Sequence, residues 1–176
     1  MPSLTDYLIP LDDESATQRL AETLAQRLCS CAKELLPENA QRAFQWYLYG
    51  ELGAGKTTFV RALLRACAYS GRVKSPTYTL CEPYALMLAG HKIDVFHFDL
   101  YRLHNASEWH DAGFAEILSQ PGLCLLEWPE HANLETPDLK MTLTYTENLS
   151  RLAKLEACSR VGQQLLTPLE QYRVAH

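Results

Sequence analysis

The sequence has no cysteine pair at C-x-x-C spacing, no apolar run as long as the ~20 residues of a membrane span, and no surplus of basic residues. Without such a pair, the six cysteines predict buried, reduced thiols rather than a zinc site. The opening MPSLTDYLIP lacks the basic and apolar regions of a secretory signal. We therefore expect a cytoplasmic protein with no membrane partner.

The charge balance argues against a chain that binds nucleic acid tightly by itself. The formal net charge is −5, with 16 basic and 21 acidic residues, whereas such proteins usually carry a basic surplus. The length of 176 residues and the hydrophobic content of 47% are typical of one globular domain. We predict a single domain over residues 1–176, whose tail from position 161 is either a short helix or frayed.

A glycine-rich loop is the strongest local signal in the chain. Residues 50–57 read GELGAGKT and match the pattern G-x-x-x-x-G-K-[ST], with a strand pattern before them and a helical pattern after them. Such a loop turns its backbone N–H groups toward phosphate oxygens, and the dipole of the following helix adds positive charge. We predict that Lys56 reaches the β- and γ-phosphates and that the Thr57 hydroxyl is a Mg²⁺ ligand.

The neighbouring residues complete the predicted nucleotide site. Gly53, Ala54 and Gly55 lie where the loop presents its N–H groups. Two interpretations of Thr58 stay open. It is either a backbone N–H donor to the α-phosphate or an ordinary residue of the first helical turn.

Apolar periodicity divides the rest of the chain into helices and strands. Steps of three and four predict helices over residues 13–35, 56–70 and 105–119. Apolar or alternating runs predict strands over residues 43–49, 91–103, 122–128, 138–147 and 150–159. We expect a polar turn at Asn148. We also expect residues 74–80 to be extended, because Pro76 disfavours a helical conformation at the residue before it. The order predicts an α/β fold of the P-loop NTPase type, a mainly parallel sheet with flanking helices and an antiparallel C-terminal hairpin at an edge.

Two acidic residues close apolar strand patterns. Asp99 ends VFHFD and Glu127 ends LCLLE, and the carboxyl ends of parallel strands share one crevice with the glycine-rich loop. One carboxylate would meet Mg²⁺ and the other would orient the attacking water; the sequence does not assign which. Lys56, Asp99 and Glu127 are therefore the catalytic candidates.

Four other side chains lie near these positions in the predicted fold. Thr77 is either a switch residue that senses the γ-phosphate or part of a rigid turn. Trp128 is typical of core packing. His97, a lone histidine within a strand, is typical of packing too. Arg102 pairs either with phosphate or with a nearby acid.

The kind of nucleotide follows from motifs that the chain does not contain. Asp99 is followed by LYR rather than by the pattern of a D-x-x-G switch, and no N-K-x-D guanine motif occurs, which favours ATP over GTP. The arginines are scattered and form no lid-like cluster. A compact, partner-controlled ATPase is the leading hypothesis. The alternatives are a small P-loop kinase acting on a metabolite and a nucleotide-gated adaptor without useful hydrolysis.

Four stretches taken together resemble one family. GELGAGKTTFVRALL, VKSPTYTL, HFDLYRL and LLEWPE occur in this order, and IPLDDESAT stands near the start. They are similar to the bacterial ATPases of tRNA threonylcarbamoyladenosine biosynthesis, the TsaE (or YjeE) family. The resemblance implies a Mg²⁺-dependent ATPase that is weak alone and stimulated by the partner proteins TsaB and TsaD. It also implies that tRNA is met only through that complex.

The resemblance implies roles at the matching positions. Lys56 and Thr57 match the phosphate lysine and the magnesium hydroxyl. The other matches are Asp99 (hydrolysis), Glu127 (magnesium), Trp128 (beside it), Thr77 (switch loop), and Thr17 and Arg151 (nucleotide). Glu51 departs from the aspartate of many members, a change that leaves the backbone N–H groups of the loop in place.

Overall fold

The computed structural model describes residues 5–147 and 150–174. Within these residues the strands are β1 (Thr5–Leu11), β2 (Phe44–Tyr49), β3 (Cys81–Leu88), β4 (His91–Asp99), β5 (Leu123–Glu127), β6 (Leu139–Tyr145) and β7 (Arg151–Ala157). The α-helices are α1 (Glu14–Ser30), α2 (Ala32–Leu35), α3 (Lys56–Ala66), α4 (Ala106–Asp111), α5 (Phe114–Leu118) and α6 (Arg160–Leu166). Two 3₁₀-helices cover Pro129–His131 and Thr167–Tyr172.

All seven strands join one sheet in the order β1-β7-β6-β2-β5-β4-β3. The central strands β6, β2, β5 and β4 are parallel, whereas β3 pairs with β4, β7 with β6, and β1 with β7 in antiparallel fashion. The predicted α/β class is confirmed, but the sheet is mixed rather than mainly parallel. The carboxyl ends of the four parallel strands lie along one end of the sheet, where such folds bind ligands.

The two strands that the sequence patterns missed lie at the edges of the sheet. β1 contains Pro10 and β3 contains Pro83, and proline weakens a strand pattern although an edge strand tolerates it. β1 occupies the edge beside β7, and β6 lies inside the sheet between β7 and β2. The edge position predicted for the last two strands is therefore wrong. The turn predicted at Asn148 lies outside the described residues.

The predicted helices are present but shorter. Asp13 caps α1 by accepting a 2.7 Å hydrogen bond from the N–H of Ala16, and the predicted helix to residue 35 is interrupted before α2. Gly113, with φ +72°, separates α4 from α5. Within the segment predicted as extended over 74–80, residues 76–80 instead form a turn, in which the N–H of Leu80 donates to the carbonyl of Pro76 at 2.8 Å.

The two faces of the sheet pack against different helices. Val95 of β4 belongs to one buried cluster with Leu24 of α1 and Leu63 of α3. Phe98 of β4 belongs to a second cluster with Trp109 of α4. Because side chains alternate along a strand, Val95, His97 and Asp99 of β4 lie on the face that packs against α3.

No helix within the described part of the chain is both long and apolar enough to cross a membrane.

Candidate functional site

The glycine-rich loop connects β2 to α3 with a backbone that other residues rarely adopt. Gly50, Gly53 and Gly55 have φ values of +136°, +79° and +107°, conformations open mainly to glycine. A Cβ atom at Gly50 would lie 2.5 Å from the carbonyl oxygen of Leu143 on β6. Gly55 has no side chain that could cap α3. The first N–H groups of the helix therefore have no side-chain acceptor, and such groups bind anions in other proteins.

Lys56 begins α3 and is only 4% exposed. Its ammonium donates to the carbonyl of Gly50 and, at 3.0 Å, to that of Glu51. The same Nζ lies 3.9 Å from the centroid of the Trp128 ring, within the range of a cation–π contact. Burial lowers the pKa of the ammonium, and the carboxylates of Glu127, Glu130 and Asp99 oppose that shift. Loop carbonyls, the Trp128 ring and nearby carboxylates therefore all stabilise the charged ammonium beside the loop.

Glu127, at the end of β5, faces the start of α3. The Thr57 hydroxyl lies 2.8 and 3.0 Å from the two oxygens of this carboxylate and donates to it. Nε2 of His97 lies 2.8 Å from Oε1 of Glu127. The carboxylate is 3% exposed, so the contacts from Thr57 and His97 replace the water that a surface acid would bind.

Asp99, at the end of β4, is the register partner of Glu127 and is 6% exposed. Its Oδ2 accepts from the Thr77 hydroxyl at 3.1 Å, and its Oδ1 accepts from the N–H of Tyr101 at 3.2 Å. The turn at 76–80 is thus tied to the strand end by Thr77. The structure brings both predicted acids to the same end of the sheet as the glycine-rich loop.

A cleft of about 290 Å³ opens between these elements. Nine of the predicted residues line it: Gly53, Gly55, Lys56, Thr57, Thr58, Thr77, Asp99, Glu127 and Trp128. Ala54 is buried behind the loop at 1% exposure. The cleft therefore joins the predicted phosphate loop, acids and switch threonine in one space.

Besides Ala54, two further predicted nucleotide residues lie outside the lining of that cleft, within the described ranges. Arg151 begins β7 and sits against the loop, with one guanidinium nitrogen 3.5 Å from the carbonyl of Gly53. Thr17 is buried in α1, where Glu14 and Gln18 line a second cleft of about 590 Å³. Both clefts have Thr58 in their lining.

Several contacts at the cleft were not predicted from the sequence. Trp128, with φ +58°, packs its ring against Tyr101 at 5.0 Å and His131 at 5.7 Å between centroids. Arg102 stacks on the Tyr78 ring at 4.3 Å and also lines the cleft, so its pairing with phosphate stays a prediction. The pairing of His97 with Glu127 could have been anticipated from its position two residues before Asp99, because residues i and i+2 share a face.

The fold and the site together define an α/β protein whose glycine-rich loop and two acids meet at the carboxyl ends of central parallel strands. Residues 11–154 match the family model described as threonylcarbamoyl adenosine biosynthesis protein TsaE. The chain belongs to the TsaE family, and the resemblance found in its motifs is confirmed.

Curated relatives and a solved structure agree with that assignment. The tRNA threonylcarbamoyladenosine biosynthesis protein TsaE of Haemophilus influenzae is 35% identical over 95% of this chain and 98% of its own length. The protein of the same name from Rickettsia conorii is 32% identical over 82% of this chain and 75% of its own length. The crystal structure of Bacillus subtilis YdiB superposes with a TM-score of 0.68 over 96% of this chain and 97% of that chain. At 20% identity, that likeness shows the fold alone.

Proposed function

We propose that this chain is the ATP-binding and ATP-hydrolysing subunit of tRNA threonylcarbamoyladenosine biosynthesis, a cytoplasmic protein that acts with TsaB and TsaD. The observation that carries the proposal is the contact between the Thr57 hydroxyl and the Glu127 carboxylate, 2.8 Å at its shorter distance, beside the glycine-rich loop. In phosphate-binding loops, this hydroxyl and a strand-end acid stand at the magnesium ion. The names of the relatives support the pathway.

The loop would bind the phosphates through its backbone. Positive φ at Gly53 and Gly55 supports a nest of N–H groups around an anion. Lys56 is already directed at the loop by its contacts with two loop carbonyls, and it would transfer these hydrogen bonds to phosphate oxygens. Ala54 and Thr58 would donate backbone N–H groups, and Thr17 and Arg151 would approach the nucleoside from α1 and β7.

The donor set fits magnesium rather than a softer metal. Thr57, Glu127 and Asp99 offer only oxygen atoms, which Mg²⁺ prefers. Within the described ranges, no group of three or more His, Cys, Asp or Glu side chains is arranged to hold a metal. This agrees with an ion held by one or two protein oxygens together with substrate phosphates. When bound, the ion would neutralise charge on the phosphates during hydrolysis.

The two acids would have different roles. Glu127 contacts the magnesium-site threonine, which supports it as the acid at the metal. Asp99 contacts Thr77 of the turn, which supports it as the acid that orients the attacking water. Thr77 would then change its contact with Asp99 when the γ-phosphate is lost, and the turn would change conformation with it. Trp128 would stabilise the position of Lys56 through the cation–π contact. ATP turnover would in this way change a surface loop that a partner can contact.

Reconstitution is the direct test. Purified protein would be mixed with TsaB, TsaD, ATP, Mg²⁺, a threonylcarbamoyl donor and tRNA, and modified nucleoside would be counted per complex. We expect several rounds of modification with ATP and none beyond the first without it. The net charge of −5 supports an arrangement in which another subunit holds the RNA.

Lys56→Ala is the matched variant for this assay. Loss of the ammonium should abolish ATP binding or turnover, because the lysine of such a loop is the side chain that reaches the β- and γ-phosphates. Unchanged turnover would refute the phosphate-loop assignment. Phosphate transfer to a metabolite would support the kinase hypothesis, and repeated modification without hydrolysis would support the adaptor.

A further inference from the structure

A buried histidine lies beside one of the two site acids. His97 is 0% exposed, and its Nε2 atom lies 2.8 Å from Oε1 of Glu127. An ionised carboxylate only accepts hydrogen bonds, so the Nε2 atom carries the hydrogen in this contact. His97 therefore donates to Glu127 from the sheet, whereas Thr57 donates to the same carboxylate from α3.

The strand register determines this contact. Asp99 is opposite Glu127 and His97 is opposite Leu125, so His97 and Glu127 are diagonal neighbours on one face of the sheet. Side chains at this diagonal spacing are within reach of each other when one of them is long or aromatic. Because the imidazole is fully buried, the positions of β4 and β5 fix its orientation toward Glu127.

The second ring nitrogen argues against a purely structural histidine. Nδ1 of His97 is buried, and it has no hydrogen-bond partner among the described residues. An apolar side chain at this place would pack against Val95 and Leu125 without leaving a polar atom unpaired, and native cores rarely keep such atoms. The contact with Glu127 is the interaction for which a histidine is required.

We propose that His97 is a positioning residue for Glu127. It engages Oε1, holds the carboxylate in one orientation, and so leaves Oε2, which lies 3.0 Å from the Thr57 hydroxyl, directed at the magnesium ion that accompanies the nucleotide. The inference rests on the proposed function, because it assumes that Glu127 faces magnesium. His97 touches neither nucleotide nor metal and acts through Glu127. Partners that orient a ligand in this manner change metal affinity by about 10- to 100-fold when they are removed.

Two amide variants test whether His97 acts as a hydrogen-bond donor to Glu127 or only fills space in the core. His97→Gln places an amide N–H at the reach of Nε2, whereas His97→Asn is one methylene shorter and reaches only the position of Nδ1. The measurement is the Mg²⁺ concentration that gives half-maximal binding of ADP, followed by calorimetry. The melting temperature of each free protein is recorded alongside.

We expect the Asn variant to need at least ~10-fold more Mg²⁺, and the Gln variant to stay within about threefold of wild type. ADP affinity without Mg²⁺ should be the same in all three proteins. In a Glu127→Ala background, His97→Asn should cause no further change in the Mg²⁺ requirement, because its effect passes through Glu127. If the Asn variant does not fold, His97→Met provides a second chain without the donor.

The outcomes distinguish this inference from the proposed function. Equal Mg²⁺ requirements in the Asn, Gln and wild-type proteins, with only the melting temperature changed, would overturn the inference and leave His97 a structural residue. A further rise in the Glu127→Ala background would overturn it too. Wild-type protein that binds ADP with no dependence on Mg²⁺ would overturn the inference alone, whereas wild-type protein that neither binds nor hydrolyses ATP would overturn the proposed function itself.

Discussion

Lys56, Asp99 and Glu127 keep only 4%, 6% and 3% of their surface exposed. Removing charged groups from water costs several kcal/mol per ion unless partners replace the water. Each of the three has such partners: loop carbonyls for Lys56, hydroxyl and amide donors for Asp99, and hydroxyl and imidazole donors for Glu127. At the scale of the residue, the site is a set of buried charges held in fixed directions.

The two acids can be tested by neutral isosteres. We expect Glu127→Gln and Asp99→Asn each to reduce ATP turnover by at least ~100-fold, since a positioned acid or base contributes about 10²- to 10⁴-fold. Affinity for ADP without Mg²⁺ should remain within a few-fold, because the loop binds phosphates by its backbone. Turnover and ADP binding would be measured on the same preparations. Glu116→Gln, an exposed acid of α5 outside the cleft lining, is the control; wild-type turnover in both site variants would show that the metal site is misplaced.

At the scale of the element, the glycine-rich loop depends on β6 as well as on its own sequence. Gly50 approaches the backbone of Leu143 on β6 so closely that a Cβ atom would lie 2.5 Å from the carbonyl oxygen. The loop therefore has its shape because a neighbouring strand passes beside it. Gly90, by contrast, has φ +80° in the turn between β3 and β4 and no atom within 4 Å of a built Cβ.

Substitutions at Gly90 and Gly50 distinguish the free-energy cost of left-handed backbone from the cost of a steric clash with β6. We expect Gly90→Ala to lower the free energy of unfolding by about 1–2 kcal/mol, the cost of a side chain in left-handed backbone. Gly50→Ala should lower it further, because the Leu143 carbonyl must also move. It should weaken ADP binding as well, which Gly90→Ala should not. Urea unfolding and ADP titration measure both effects. Equal unfolding free energies in the two variants would contradict the close approach.

The Thr77 hydroxyl is one of the contacts that tie the turn at 76–80 to the site, beside the backbone bond from the N–H of Asp99 to Leu80. Thr77→Val removes the donor to Asp99 and keeps the volume of the side chain. Because a hydrogen bond to a charged group contributes about 1.5–3 kcal/mol, we expect ATP turnover to fall by about tenfold or more, with ADP affinity unchanged. Thr79→Val, whose hydroxyl bonds Glu82 away from the cleft, is the control. A turnover loss shared by both variants would mean a general loosening of the turn.

At the scale of the whole molecule, the first strand closes the sheet against the last. β1 pairs with β7 along seven residues, and the Tyr7 hydroxyl donates to Glu170 near the end of the chain at 3.1 Å. The glycine-rich loop and the two acids lie at the parallel centre of the sheet, away from this edge, and only Arg151 of the proposed nucleotide residues lies on a strand that pairs with β1. We therefore expect changes in β1 to act on stability and to leave the site chemistry intact.

Two leucines of β1 provide the comparison. Leu11 is 1% exposed and Leu8 is 40% exposed, because successive residues of the strand face opposite sides. Leu11→Ala should lower the free energy of unfolding by about 2–5 kcal/mol, and Leu8→Ala by less than about 1 kcal/mol. ADP affinity of the folded protein should be unchanged in both. A large loss of ADP affinity in Leu11→Ala, measured below its melting temperature, would show that the edge and the site are coupled.

Local patterns were reliable where one physical cause dominated. The apolar stripe of α1, the buried runs of β2 and β5, and the motif from Gly50 to Thr57 predicted elements that the structure contains. The patterns failed where neighbours decide the outcome. β1 and β3 carry prolines and join the sheet only as edge strands, and the turn at 76–80 is held by contacts with the end of β4.

The sequence by itself determined the family, the glycine-rich loop and the identity of the two acids, because these depend on residue types at short spacing. Only the tertiary structure decided that the sheet is mixed, that Thr77 bonds Asp99, that Lys56 lies on the Trp128 ring, and that His97 donates to Glu127. These contacts join residues 22 to 72 positions apart in the chain. They depend on strand order and register, which arise from long-range packing and are not encoded in any local pattern.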